Sequence, residues 1–152
     1  MSPRLLRLGM NLWPPFRGAG IRVRRIAPDW SEALVELRHG LFNRNFIGTH
    51  YGGSLFSMTD PFYALMLMHR LGAEYLVWDQ AASIEFVAPG RGTVRARFVL
   101  DADKVTQIRD LARGGDNVLP QFEVDVRGED GEIVARVNKT LYVRLKPRFR
   151  PA

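Results

Sequence analysis

Apolar and polar positions change period several times along this chain, and the changes divide it into elements. Residues 21–27 and 31–39 read as strands, with Pro28-Asp29 as the turn between them. In the second run Ala33, Val35 and Leu37 alternate with Glu32, Glu36 and Arg38. Residues 40–51 (GLFNRNFIGTHY) have no period and read as a loop. Residues 53–68 (GSLFSMTDPFYALMLM) hold one charge, Asp60. A helix that is apolar on nearly every side has to be enclosed by the rest of its domain. His69, Arg70 and Gly72 supply the stop signal for that helix.

The remainder reads mostly as strand. Residues 75–87 place Leu76, Trp78, Ala82, Ile84 and Phe86 on one face, and residues 89–92 turn the chain. Residues 93–100 alternate Val94, Ala96, Phe98 and Leu100 with Thr93, Arg95 and Arg97. Residues 103–113 fit a short surface helix with Val105, Ile108 and Leu111 on one side. Residues 121–127 point Phe122, Val124 and Val126 inward, and 128–131 form a hairpin turn. Residues 133–145 close the pattern, with Ile133, Ala135, Val137, Leu141 and Val143 on one side. Residues 11–20 (NLWPPFRGAG) read as a short helix or turn packed on the body. Tight turns between consecutive strands imply antiparallel pairing. The expected class is α+β: an antiparallel sheet of about six strands wrapped around one long apolar helix.

Length and charge refine this picture. The 152 residues fit a single domain, with 1–20 as a lead segment and 146–152 as a basic tail. No run reaches the ~20 apolar residues of a membrane span, and residues 1–10 lack the apolar core of a signal peptide. A cytoplasmic protein without membrane partners is expected. The chain has no cysteine, which removes thiol catalysis and disulfides. Lysine occurs only at Lys104, Lys139 and Lys146, so 19 of the 22 basic residues are arginine, and the net charge is +6. Arginines crowd the first 25 residues and the basic tail. This fits a solvated basic surface or attraction to a polyanion such as a phosphorylated cofactor. No zinc spacing, aromatic-basic RNA signature or basic helix is present, so no nucleic-acid partner is expected.

Asp60 is the leading candidate for chemistry. A lone charge within an enclosed apolar helix is costly unless it is paired or functional, and burial would raise its pKa toward that of a general base. Pairing with an arginine, or capping another element, is the alternative. Pro61 follows directly, and proline inside a helix breaks the local hydrogen bonding. It either marks a functional departure from regularity or ends one helix and starts another. Gly52 and Gly53 stand at the expected helix start, where free N–H groups can hold an oxyanion and a substrate can approach the backbone. Asn43, Asn45 and His50 in the preceding loop can hydrogen-bond a carbonyl or serve the loop backbone. His39 and His69 read as surface residues. Three scattered histidines without matching carboxylates argue against a catalytic metal, and no cofactor is expected.

The run from Asn45 to Asp60 (NFIGTHYGGSLFSMTD) resembles the signature of hotdog-fold thioesterases of the phenylacetate-pathway type. In that family an asparagine and a glycine precede His-Gly-Gly, and an acidic residue lies eight positions after the first glycine of the pair. Gly52 and Asp60 have that spacing. Gly48-Thr49, Gly52-Gly53-Ser54-Leu55-Phe56, the strand end from Ile84 to Pro89 and the Asp130-Gly131-Glu132 hairpin are similar to a bacterial branch described as tetrameric acyl-CoA thioesterases.

The resemblance implies a hotdog fold that hydrolyses acyl-CoA or a similar acyl thioester. Asp60 would be base or nucleophile and the Gly52 N–H the oxyanion donor, the two coming from different subunits of a homodimer or tetramer. Asn45 or His50 would orient the carbonyl or water. Gly53 would meet the substrate; Phe56, Phe62, Tyr63 and Met66 either line an acyl pocket or are plain core, and Arg95 and Arg97 are candidates for the coenzyme A phosphates. Tyr51 interrupts the His-Gly-Gly here. That departure supports a second reading, a non-catalytic acyl-CoA-binding hotdog protein. A hotdog dehydratase would need a carboxylate–histidine pair, which the motifs do not supply.

Overall fold

A computed structural model describes residues 2–150. Met1 of the lead segment, and Pro151 and Ala152 of the basic tail, lie outside the described residues. Two N-terminal helices, α1 (Pro3–Leu12) and α2 (Pro14–Ala19), precede strands β1 (Ile21–Ile26) and β2 (Glu32–Arg38). The apolar segment follows as α3 (Gly52–Ser57) and α4 (Phe62–Leu71). Then come β3 (Tyr75–Phe86), β4 (Thr93–Val99), α5 (Ala102–Ala112), β5 (Gln121–Arg127) and β6 (Ile133–Leu145). A single 3₁₀ turn, Pro147–Phe149, ends the described chain.

The six strands form one antiparallel sheet in the order β1-β2-β4-β5-β6-β3. Its inner face and the apolar helical segment make one core. Phe62 and Met66 are fully buried, and the Phe62 ring lies 4.9 Å from Phe98 of β4 and 6.3 Å from Phe16 of α2. The expected sheet, its wrapping of the helix and the α+β class are all present. Among the described residues no helix is long and apolar enough to cross a membrane.

The long helix is interrupted, and the cause is local. A residue before proline is driven out of the helical region, so α3 cannot continue through Asp60. Thr59 closes the end of α3 by donating its hydroxyl to the Phe56 carbonyl at 2.8 Å. Pro61 then serves as N-cap of α4, where its missing N–H is not needed and its carbonyl accepts from Leu65 N at 2.9 Å. Of the two roles open to Pro61, it ends one helix and starts the next.

Three details differ from expectation. The N-terminal helix starts at Pro3, ahead of residues 11–20. In α5 the buried face is Val105, Ile108 and Ala112, while Leu111 is exposed. The third is the face of β3. Tyr75 and Val77 are buried, whereas Leu76 and Trp78 are 38% and 47% exposed, and Trp78 stacks on Tyr142 of β6 at 4.0 Å. The pairing with β6 slips by one residue between Asp79 and Ala81. Such a bulge flips side-chain parity. Before it the odd-numbered residues face the core; beyond it half-buried Ile84 does.

The two sheet edges are treated differently. At β1 the Asn11 side chain of α1 imitates a neighbouring strand: Val23 N donates to its Oδ1 at 2.8 Å, and its Nδ2 donates to the Val23 carbonyl at 3.0 Å. At β3 the stretch from Gln80 to Ser83 is exposed, as are Phe86 and Val87 at 57% and 51%.

Candidate active site

Asp60 sits at the break between α3 and α4. Contrary to the expectation of an enclosed charge, its side chain is 68% exposed in the single chain. It borders a cavity of about 190 Å³ lined by Trp13, Pro15, Phe16, Phe56 and Ser57. Behind it, Lys139 Nζ donates to Asp60 Oδ1 at 3.2 Å and lies 3.0 Å from Asp79 Oδ1. The Lys139 side chain is fully buried. The contact with Asp79 is an ion pair rather than an aligned hydrogen bond, and Asp79 Oδ1 has no other partner. Burial pushes the Asp79 carboxyl above its ordinary pKa; the Lys139 ammonium opposes this and the Asp60 charge adds to it.

Neither Lys139 nor Asp79 is among the candidates read from the sequence. Lys139 does carry a signal, because the alternation from Val137 to Leu141 places it inward among apolar residues. A cation at an inward position of a closing strand has to be paired. Asp79 is aimed inward by its position beside the β3 bulge.

The glycine pair lies elsewhere. Gly52 and Gly53 open α3, and no described group accepts from either N–H. A Cβ at Gly52 would meet Phe86 Cζ at 2.8 Å, and a Cβ at Gly53 would meet the Tyr51 ring. Gly52 lines a second cavity, about 340 Å³, with Asn45, His50, Leu55, Phe86 and Pro89 among its walls. Asp60 is not among them. Gly52 opens α3 while Asp60 lies beyond its end, and the two border separate cavities.

The loop asparagine amides are committed to the loop and its flanks. Asn45 Oδ1 accepts from Ile47 N at 3.1 Å and Thr49 N at 3.0 Å, while its Nδ2 donates to Thr49 Oγ1 and the His50 carbonyl. Asn43 likewise serves Gly40 N and the Ala19 and Arg38 carbonyls. His50 is buried, and its Nε2 donates to the Gly92 carbonyl at 2.9 Å, tying the loop to the β3–β4 turn. His39 and His69 are half-buried rather than surface residues; His69 stacks on Trp30 at 3.6 Å and pairs with the Leu65 carbonyl.

Of the expected acyl contacts, Phe56 borders the Asp60 cavity, while Phe62 and Met66 are core. Tyr63 is also core: its hydroxyl donates to the Glu123 carbonyl at 2.9 Å, and burial pushes its pKa up to about 12. Arg95 and Arg97 are paired with Glu36 at 3.0 Å and Glu32 at 2.8 Å across β2 and β4, and line neither cavity.

His50 supplies a pH test. Burial, above all, lowers its pKa; the hydrogen bond to Gly92 opposes this, and His39 adds to it. The folded chain therefore binds this proton less readily than the unfolded chain. The contribution to stability is complete above the unfolded value of ~6.5 and is lost as pH falls from there through the folded value. His50→Gln keeps a donor for Gly92 without the titration. Urea midpoints at about pH 7.5 and about pH 5.5 should fall further for the wild type than for the variant. Equal losses would remove this role.

Residues 3–143 match the family described as a domain of unknown function, DUF4442. The chain belongs to the DUF4442 family. No curated protein matches it. Among solved structures, PA5026 of Pseudomonas aeruginosa, a protein of unknown function described as a probable thioesterase, is similar with TM-score 0.84 and 21% identity, covering 96% of this chain and 97% of its own. The thioesterase HI1161 of Haemophilus influenzae gives TM-score 0.68 at 14% identity over 95% of this chain and 92% of its own. The PaaI protein of the E. coli phenylacetic acid degradation operon gives 0.62 at 16% identity over 94% and 92%. The fold of this DUF4442 chain is the hotdog fold of these neighbours.

Proposed function

We propose that this protein is a thioester hydrolase that cleaves acyl-CoA, or a similar acyl thioester, to the free acid and thiol. The observation that carries this reading is the Asp60 carboxylate, held at a helix break beside an apolar cavity with a buried ammonium behind it. As general base, Asp60 takes a proton from water while the water oxygen adds to the thioester carbonyl carbon. The C–S bond then breaks and the thiolate takes up the proton. As nucleophile, Asp60 would form the C–O bond itself as the C–S bond breaks and the thiolate leaves; water would then hydrolyse the resulting anhydride, freeing the acid and the Asp60 carboxylate, with a proton for the thiolate. In either route the oxyanion rests on the Gly52 N–H.

The separation of Gly52 from Asp60 supports a site shared between two chains. Exposed β3 is the place to join them, because an unpaired strand edge recruits another strand. Antiparallel pairing of two β3 strands about a two-fold axis through Ser83 sets Gln80 of one protomer, next to Asp79, opposite the partner's Phe86. Asp79 marks the Asp60 end of each site and Phe86 packs over Gly52. The pairing therefore brings the base of one chain toward the oxyanion donor of the other, twice per dimer. Ser83→Glu places a carboxylate against its own copy at the axis, where like charges repel. Light scattering should show a dimer or tetramer for the wild type and a monomer without activity for this variant. A fully active monomer would refute the shared site.

Thiol release over a panel of acyl-CoAs, short to long, tests the function. The full commitment of the Asn45 amide to the loop favours one alternative, a non-catalytic acyl-CoA-binding protein. Saturable binding of the panel with no thiol released would establish that alternative.

A further inference from the structure

Lys139 stands out against the rest of the chain's charges. Every other described ion pair uses arginine. Those arginine side chains are at least a third exposed, whereas the Lys139 side chain is wholly buried at an inward position of β6 between Val137 and Leu141. A methionine or leucine there would avoid the desolvation of an ammonium, and replacing buried ion pairs by apolar residues is often neutral or stabilising. Core stability therefore does not explain this lysine. Its geometry offers another reason. An ammonium is a compact point charge that two carboxylates can share through single oxygens, where a guanidinium would demand a planar fork.

The charged groups within 4 Å of Nζ among the described residues are Asp60 from the helix break and Asp79 from β3. From β5 the neighbour across the pairing is Phe122, which carries no charge. Asp79 is itself mostly buried, at 24% exposure, so it anchors Lys139 from the core side. Lys139 in turn holds one oxygen of Asp60, and no described side chain pairs with the other, Oδ2.

We infer that Lys139, anchored by Asp79, is a positioning residue that fixes the Asp60 carboxylate beside the cavity lined by Trp13, Phe16 and Phe56. This rests on the thioesterase reading and adds to it a charge array, Asp79–Lys139–Asp60, as the working unit. Without the ammonium, the mostly buried Asp79 carboxylate is left unpaired near Asp60, and the Asp60 side chain loses its only described polar contact.

The test compares pH–rate profiles of wild type, Asp60→Asn, Lys139→Met and the charge-balanced double variant Lys139→Met/Asp79→Asn, which avoids an unpaired buried Asp79. Near-UV circular dichroism checks that each is folded. The expected result for the folded Lys139 variants is a kcat lower by about 10- to 100-fold with KM little changed. The acid limb of kcat/KM should also move up by about one pH unit or more. Because the chain has no cysteine, Lys139→Cys introduces its only thiol. Alkylation of that thiol with bromoethylamine in denaturant, followed by refolding, rebuilds the ammonium. It should restore both kcat and the acid limb.

Folded Lys139 variants with wild-type kcat and an unmoved acid limb, beside an inactive Asp60→Asn, would overturn the positioning role and leave the thioesterase reading intact. A lowered kcat that the rebuilt ammonium does not restore would overturn it too. A wild type inactive on every acyl-CoA, or an Asp60→Asn variant that keeps its rate, would overturn the thioesterase reading and this inference with it.

Discussion

Asp60→Asn should lower kcat for acyl-CoA hydrolysis by at least ~10²-fold, the lower end of what a general base contributes, while KM changes little. The substitution is unusually clean at this position. An asparagine keeps the size of the side chain and an oxygen for Lys139. It also leaves Lys139 and Asp79 as a neutral pair, so the core gains no uncompensated charge. The side chain is 68% exposed in the single chain, and folding should not depend on its ionisation. Loss of activity with an unchanged unfolding midpoint is therefore the expected pattern. Steady-state kinetics beside a urea titration will check it. A variant that retains more than about half of the rate would return Asp60 to the role of a surface ion pair.

The second large effect is a recovery of activity by mixing two inactive proteins. Gly52 is the first helical residue of α3, a position that accepts proline well and has no use for its N–H within the helix. Tyr51 before it already has the extended backbone that a following proline requires, with φ −65° and ψ 127°. Gly52→Pro therefore deletes the oxyanion donor and spares the helix; the ring it would press on, Phe86, is 57% exposed in the single chain. Alone, Gly52→Pro and Asp60→Asn should each be inactive. After equimolar subunit exchange, half the dimers pair one of each, and each such dimer holds one site with both residues intact. About one quarter of wild-type activity should return. No recovery, with exchange confirmed by native mass spectrometry, would place Gly52 and Asp60 in the same chain's site or outside it.

Much of the fold was legible because strand alternation is a local property. The runs containing Ala33–Val35–Leu37, Val94–Ala96–Phe98 and Phe122–Val124–Val126 announce their inward faces without reference to any neighbour. β3 was legible only beyond Gln80. Its first half reads inverted, since a one-residue bulge among Asp79, Gln80 and Ala81 leaves no mark in composition. That inversion also hid Asp79. With Leu76 and Trp78 on the core face, Asp79 takes the opposite one. Lys139 was within reach, at the one gap in the apolar series of β6. The prominence of Asp60 was readable from its isolation among apolar residues, but its exposure was not, because it follows from the turn that Pro61 imposes. The commitment of His50 was not readable either: its acceptor, the Gly92 carbonyl, lies 42 residues along the chain and is brought close only by folding.

The Asn11 amide at the edge of β1 has a consequence for how many molecules can join. A sheet with two open edges is bivalent, and two-ended units polymerise. Among the described residues this sheet has one edge capped by a side chain that answers both polar groups of Val23, and one left open along β3. A monovalent unit stops after a single joining event. Strand-by-strand growth through this sheet would thereby stop at a pair, and a larger assembly would have to be made face to face instead of edge to edge.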